Sequence, residues 1–259
     1  SVAGGNAAQV EKGVPLVVSR PAGKGNAVLL NFTFDGYPAE AAKAGTDFSG
    51  WAEGEAYRRL LGGILSNAGV LPQVRIEPAA PRVETTRFTN GAAEYVGLIQ
   101  ARPQPALEYS HRRVPAPQGK PVRVSFGREA HVYDVRAGKY LGRVGKVDAV
   151  LTPGRALLYA LLPAQAQAPV LAVPPKTAPG KTVSCTVGGP SPVPRVLRVR
   201  VYDPFGAELP HYAQNLLVRG ESAPFSLSFA WNDKSGRWTL KATDTASGLT
   251  SSGFIELAP

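Results

Sequence analysis

The stretch VETTRFTNGAAEYVGLIQA at residues 83–101 decides the fold of this chain. Apolar and polar side chains alternate on both sides of Asn90-Gly91, as they do in strands that bury one face. Asn-Gly between two alternating runs is among the strongest hairpin signals, because both residues accept positive φ angles. This stretch therefore predicts an antiparallel β region.

Five more runs with a period of two follow this hairpin, separated by turn formers such as Gly127-Arg128, Ala137-Gly138 and Pro153-Gly154. They are PVRVSF (121–126), AHVYDV (130–135), KYLGRV (139–144), KVDAVL (146–151) and RALLYALL (155–162). Seven short strands in about 80 residues are typical of an antiparallel sandwich. We expect this small β-sandwich to span residues 81–164.

A proline- and alanine-rich linker at residues 163–175 precedes a second series of strands. Its main runs are KTVSCTVGG (181–189), RVLRVRVYDPFG (195–206), FSLSFAWN (225–232), GRWTLKATDTASG (236–248) and SSGFIEL (251–257). Their size and rhythm predict an immunoglobulin-like β-sandwich over residues 165–259. The only cysteine, Cys185, excludes an internal disulfide and is predicted to be a buried, inert thiol.

Residues 1–80 have a different pattern. PLVVSRPAGKGNAVLLNF (15–32) predicts a hairpin around residues 23–26, and WAEGEAYRRLLGGILSNAGVLPQVRI (51–76) predicts a helix that stops at Gly69 and is followed by a strand. The face of the helix that we expect to serve in assembly contains Tyr57, Leu60, Leu61, Ile64 and Leu65. A two-stranded ribbon is too narrow to cover such a stripe, so we expect a partial α/β unit.

The predicted fold class is therefore mainly β, with a partial α/β unit containing one main helix, followed by two antiparallel β-sandwich domains. The chain begins at Ser1 and has no methionine, which favours a downstream piece of a longer protein. We expect another protein chain, in a homo- or hetero-oligomer, or a missing N-terminal part to complete the α/β unit.

The formal net charge of +10 raises the question of a polyanionic partner. The cations are spread along the chain, and Arg198 and Arg200 alternate with apolar residues as in a half-exposed strand. A solvated basic face is favoured over nucleic-acid binding, while a polyanionic glycan or an acidic subunit stays open. No apolar run approaches the roughly 20 residues of a membrane-spanning helix, so no membrane insertion is expected.

No motif with a catalytic mechanism is present, so we predict no catalytic residue, no metal ligand and no cofactor. The histidines His111, His131 and His211 are too widely spaced to indicate a metal site. The carboxylates around residues 35–55 are better explained by helix capping than by glycoside hydrolysis. Trp231 and Trp238 are more readily interpreted as core residues. The candidates for stacking on a glycan are Tyr37, Trp51 and Trp231.

The order of these segments over residues 14–163 resembles the carboxy-terminal half of bacterial family 42-type β-galactosidases. The resemblance implies the end of an amidotransferase-like trimerisation domain without a working Cys–His pair, followed by a small β domain. The catalytic glutamates of that family lie on a barrel that these residues do not contain, so none can be assigned here. SGRWTLKATDTASGLTSSGFIEL (235–257) is similar to immunoglobulin-like modules of secreted bacterial proteins.

We therefore expect a non-catalytic, C-terminal assembly or accessory region of a secreted or surface glycoside-hydrolase-like multidomain protein. The expected location is extracellular, on the cell surface or periplasmic. Two alternatives stay open: part of an active glycosidase whose catalytic barrel lies on another segment or chain, and a structural subunit of an extracellular filament or surface layer.

Overall fold

The computed structural model describes residues 6–11, 14–31, 51–80, 82–101 and 118–258, with side chains described in 14–31 and from residue 59 onwards. The described residues fall into two compact units. The first contains those up to Gln73, with Ala101 and Gln118, and the second contains Val74–Gln100 and residues 119–258. In this part of the chain there are seventeen strands and one α-helix, which confirms the mainly β fold.

The first unit contains a small antiparallel sheet and the helix. Strands β1 (Asn6–Glu11), β2 (Val14–Ala22) and β3 (Gly25–Leu30) lie in the order β1-β2-β3. The predicted hairpin is confirmed, with Gly23 at φ 58° in its turn, whereas β1 was not predicted. The sequence pattern indicated only the two strands that flank this turn.

Helix α1 (Trp51–Asn67) confirms the predicted helix and its stop at Gly69. Gly69 has φ 78°, its N–H donates to the Ser66 carbonyl at 3.0 Å, and the Val70 N–H donates to the Leu65 carbonyl at 2.8 Å. This pair of bonds is a Schellman motif, which satisfies carbonyls at the helix end and needs a residue that tolerates positive φ.

The second unit begins with a six-stranded antiparallel sheet in the order β4-β7-β9-β6-β5, in which β8 pairs with β7. The strands are β4 (Arg75–Glu77), β5 (Val83–Asn90), β6 (Ala93–Gln100), β7 (Lys120–Asp134), β8 (Lys139–Leu151) and β9 (Leu157–Leu162). The sheet curls around one apolar core that includes Val96, Leu98, Val124, Val132 and Leu161. The strand expected after the helix is β4, which pairs with β7 in this sheet. Hairpin β5–β6 is confirmed, and its two turn residues are Gly91 and Ala92.

Two pairs of predicted strands are single strands in the structure. PVRVSF and AHVYDV both belong to β7, and KYLGRV and KVDAVL both belong to β8. The register shifts between Ser125 and Ala130, where Gly127 has φ 71°. A Cβ on Gly145 would lie 3.3 Å from the Arg128 carbonyl oxygen. These glycines therefore permit a bulge and a close backbone approach, and the interpretation of Gly127 as part of a turn was wrong.

The second unit ends with a β-sandwich of two sheets, ordered β10-β12-β15 and β11-β17-β16-β13-β14. The strands are β10 (Val170–Ala172), β11 (Lys176–Thr177), β12 (Thr182–Gly188), β13 (Arg195–Tyr202), β14 (Gln214–Val218), β15 (Ser222–Ser228), β16 (Gly236–Asp244) and β17 (Thr250–Leu257). The central order β17-β16-β13 facing β12-β15 is that of an immunoglobulin-like sandwich. Trp238, Leu240, Ile255 and Val199 fill the space between the sheets.

One end of the sandwich packs against the curled sheet through the loops 189–194 and 245–249. Val193 and Ala246 share a small apolar cluster with Tyr133 and Ala160. The Ala166 N–H also donates to the Tyr133 hydroxyl at 2.8 Å. The two β regions are thereby joined within one unit, and the opposite end of the sandwich carries a different set of loops.

Candidate functional site

Three connections meet at this opposite end: residues 178–181, 203–213 and 229–235, which we call the distal loops. The Gly180 N–H donates to the Ala230 carbonyl at 3.3 Å, and the Phe229 N–H donates to the Lys181 carbonyl at 3.0 Å. A Cβ on Gly236, which directly follows the third loop, would lie 3.1 Å from the Pro204 side chain. The three loops therefore form one continuous surface.

Trp231 is the most exposed large apolar residue of the distal loops, at 81% exposure. A Cβ on Gly180 would lie 2.5 Å from Cε2 of its indole ring, so the ring rests directly on the Gly180 backbone. Gly180 also has φ 75°, a region that favours glycine. The Trp231 ring thus rests on the Gly180 backbone and is otherwise accessible to solvent.

The two strand-associated tryptophans have opposite environments. Trp238 is 1% exposed, and its indole N–H donates to the Lys234 carbonyl at 2.9 Å. Its interpretation as a core residue is confirmed, whereas the same interpretation of Trp231 was wrong. Trp231 lies in the loop after β15, where no second sheet faces it. The alternation of buried and exposed side chains that buries Trp238 on β16 therefore does not extend to Trp231.

Phe205 is a second exposed aromatic residue of the distal loops, at 77% exposure. It occupies a β-turn closed by the Gly206 N–H donating to the Asp203 carbonyl at 3.0 Å. Lys234 Nζ lies 4.5 Å from the centre of its ring and 3.6 Å from Asp203 Oδ2. Phe205 was not among the residues predicted from the sequence, although a large apolar residue at the tip of an Asp-Pro-Phe-Gly turn is a recognisable sign of exposure.

Asp203 and Asp233 fix the two aromatic loops. Asp203 Oδ1 accepts hydrogen bonds from the N–H groups of Ala207 and Phe205, each at 2.9 Å. The bond from Ala207 is the main cause that lowers the pKa of Asp203. In the neighbouring loop, Asp233 Oδ2 accepts from the Ala230 N–H at 2.7 Å and from the Tyr212 hydroxyl at 2.6 Å.

The contact with Asp233 also affects Tyr212, whose pKa is raised first by burial and then by that carboxylate. Tyr212 therefore stays protonated at neutral pH and donates its hydrogen to Asp233. Its hydroxyl accepts from the Ala230 N–H at 3.2 Å. These bonds fix the backbone of the residue that immediately precedes Trp231, so this loop loses less conformational freedom when a ligand binds.

The other predicted stacking and assembly residues lie in the first part of the chain. Tyr37 is outside the described residues, and Trp51 and Tyr57 lie on α1 with side chains outside the described ones. On the same helix, Leu60 and Ile64 are half-buried, and Leu61 and Leu65 are 36% and 49% exposed. The apolar stripe of α1 is thus partly open to solvent.

The remaining residues singled out by their chemistry are the cysteine and the histidines. No group of three or more His, Cys, Asp or Glu side chains is placed to hold a metal ion in the described part of the chain. Cys185 is buried, and burial raises the pKa of its thiol to about 11. His131 contacts the Tyr140 hydroxyl at 2.8 Å, and His111 lies outside the described residues. No described helix is long and apolar enough to cross a bilayer.

Comparison with known proteins gives only distant structural likenesses. No protein-family model matches the chain, and no curated protein matches it. One similar solved structure is the CARDB domain of a Pyrococcus furiosus protein in complex with di-metal ions, at 14% identity and a TM-score of 0.24, covering 36% of this chain and 90% of that chain. Another is red sea bream transglutaminase, at 13% identity and a TM-score of 0.28, covering 76% of this chain and 33% of that chain. Neither likeness bears on function, and the β-galactosidase resemblance stays a prediction.

Proposed function

We propose that this chain is a non-catalytic accessory and assembly region of a secreted or surface glycoside-hydrolase-like multidomain protein, and that its distal loops contact glycan. The observation that supports the glycan contact is Trp231, 81% exposed and seated on the Gly180 backbone. An exposed tryptophan contributes no core packing, so its rigid support needs another explanation.

Glycan is the ligand that suits this geometry. A sugar ring is amphipathic, with an apolar face of C–H groups and polar hydroxyls at its rim, and an indole offers a complementary flat apolar face. Because Asp233, Tyr212 and Gly180 fix the loop, little conformational entropy is lost when the ring stacks. Phe205 is a second exposed aromatic residue on the neighbouring loop, with Lys234 Nζ 4.5 Å from its ring centre.

The assembly role rests on the first unit. Leu61 and Leu65 on α1 are exposed, and Val70 and Leu71 beyond its end are 55% and 54% exposed. Contiguous exposed apolar residues on a helix mark a contact surface. Another copy of the chain, or a further part of the same protein, would bury this stripe.

The glycan contact is tested by affinity electrophoresis through gels that contain neutral or acidic polysaccharides. We expect the wild-type protein to be retarded in at least one gel, and Trp231→Ala to lose that retardation. Phe88→Ala is the matched control, because Phe88 is 63% exposed on β5, away from the distal loops. Equal retardation of wild type and Trp231→Ala, or no retardation of the wild type in any gel, would overturn the proposal.

A further inference from the structure

The outer surface of the five-stranded sheet carries a concentration of cations. Arg198 and Arg200 alternate on β13 with buried residues, and Arg237 and Lys241 do the same on β16. We call these four residues the basic face. Since β13 and β16 are adjacent and antiparallel, the four side chains project from the same side of the sheet.

Arg200 and Lys241 are direct cross-strand neighbours in the register of β13 and β16. Like charges directly opposite each other destabilise a sheet. Arg200 is compensated only weakly, since its Nε lies 3.8 Å from Glu208 Oε1, beyond hydrogen-bonding distance. This Nε is shielded from solvent and has no hydrogen-bond partner among the described residues. An anion between Arg200 and Lys241 would offset the repulsion between these two like charges.

The remaining cations leave the surface positive. Among the described residues, no ion pair involves Arg198 or Lys241. Arg237 is opposite Glu256 in the register, and its guanidinium lies 3.8 Å from the centre of the Phe254 ring. Four cations therefore share this side of the sheet with the carboxylates of Glu208 and Glu256.

We infer that the basic face binds an anionic polysaccharide, one that carries carboxylate or sulfate groups. Hydroxyls lie between the cations: Thr243 is opposite Arg198, and Ser252 is opposite Lys241. Neutral hydroxyls beside cations suit a chain that alternates sugar hydroxyls with acidic groups. Phe254, an aromatic residue of this face, is 44% exposed and has the Arg237 guanidinium 3.8 Å from its ring centre, which leaves less of the ring for a nucleobase to stack on.

This inference rests on the proposed function and extends it to the class of glycan. The basic face and the distal loops belong to the same sandwich, and β16 begins directly after the loop that carries Trp231. Sugar stacking on Trp231 supplies affinity for any suitable glycan, whereas the basic face selects those with negative charge.

The test compares polysaccharides that differ in charge but share a backbone. Binding of the full chain to polygalacturonate and to its methyl ester, and to dextran sulfate and dextran, is measured by affinity electrophoresis at low and high salt. We expect at least one acidic member to bind about tenfold more tightly than its neutral counterpart, as loss of a charge-assisted contact implies. Added salt should reduce this preference. A preference for polygalacturonate over its methyl ester would identify carboxylate as the recognised group, and a preference for dextran sulfate over dextran would identify sulfate.

Arg200→Gln with Lys241→Gln should abolish the preference for acidic polymers and leave neutral binding unchanged. The matched control is Lys120→Gln with Lys146→Gln, which removes the same charge from exposed positions on β7 and β8. Circular dichroism and the melting temperature establish that both variants fold.

Each outcome has a distinct meaning. Equal binding of acidic and neutral polymers, or an unchanged preference in the Arg200/Lys241 variant, overturns the inference while the glycan contact of Trp231 stands. Loss of preference in that variant with full binding by Trp231→Ala supports the basic face and removes the stacking role. If duplex DNA binds as tightly as the acidic polysaccharide and its binding is equally sensitive to the variant, the basic face is a non-selective polyanion surface and the inference is overturned. Absence of binding to every polysaccharide overturns both proposals.

Discussion

Arg195 and Asp244 form a buried ion pair where the sandwich meets the curled sheet. Arg195 Nε lies 3.1 Å from Asp244 Oδ2, and each side chain is 4% exposed. Arg195 also donates from Nη2 to the Gln167 carbonyl at 3.3 Å and from Nη1 to the Pro190 carbonyl at 3.4 Å. The Arg195 guanidinium thus connects the linker at residues 163–175 and the loop 189–194 to the end of β16.

We predict that Asp244→Ala destabilises the second unit by about 3–5 kcal/mol, because it leaves the Arg195 charge buried without its partner. Asp244 also accepts from the Ala246 N–H at 2.9 Å, and that bond is lost as well. Denaturant unfolding measures the change. Asp148→Ala is the control, since its ion pair with Arg123 is exposed and should change stability little. Similar midpoints for Asp244→Ala and the wild type would show that the pair does not join the two β regions.

Gly180→Ala should displace the Trp231 ring and weaken glycan binding as much as Trp231→Ala does. The added Cβ would meet the ring at 2.5 Å, and φ 75° adds a backbone penalty of about 1 kcal/mol. Gly23→Ala separates the two effects, because Gly23 has φ 58° with open space around it. Acrylamide quenching of tryptophan fluorescence reports the displacement. Unchanged quenching and binding in Gly180→Ala would show that the glycine does not support the ring.

Glu94 should contribute stability that depends on pH. Its carboxylate contacts Arg87 Nε at 2.6 Å and Arg128 Nη2 at 3.2 Å, and the hydrogen bond with Arg87 is the main cause that lowers its pKa. Because the folded pKa lies below the ordinary value of about 4.3, this contribution is present at neutral pH and is lost as pH falls through the folded pKa.

The variant Glu94→Gln should therefore be less stable than the wild type by about 1 kcal/mol at pH 7, and this difference should shrink in acid. Urea unfolding between about pH 7 and pH 3 measures it. Glu84→Gln, at an exposed position on β5, should show no such convergence. A difference that stays constant across the range would mean that the Glu94 charge is not the cause.

The exposed apolar residues of α1 predict that the chain self-associates. Leu61→Glu combined with Leu65→Glu should abolish self-association of the chain, because it places two charges on the exposed apolar surface of α1. Light scattering over a range of concentrations measures the mass. The control combines Val150→Glu with Val170→Glu, two exposed apolar positions on strands. A wild-type chain that stays monomeric at all concentrations would exclude a second copy as the partner.

Local chemistry explains which features could be predicted from the sequence. Gly23 and Gly69 were interpreted correctly, since a positive φ at a turn or helix end is set by neighbouring residues. Gly127 was misinterpreted because a glycine within a period-two run can form a turn or a bulge, and the register of the partner strand decides between them. Trp231 was named as a stacking candidate but interpreted preferentially as a core residue, because Gly180, which supports its ring, lies on a loop about 50 residues earlier in the chain.

The most direct test of the glycan contact is an NMR titration of the ¹⁵N-labelled chain with polygalacturonate, observing the indole N–H signals of its three tryptophans. Trp231→Ala identifies the signal of Trp231. We expect this signal to shift on addition of the polysaccharide and the signal of the buried Trp238 to stay in place. A Trp231 signal that stays in place while the polysaccharide binds elsewhere on the protein would contradict it.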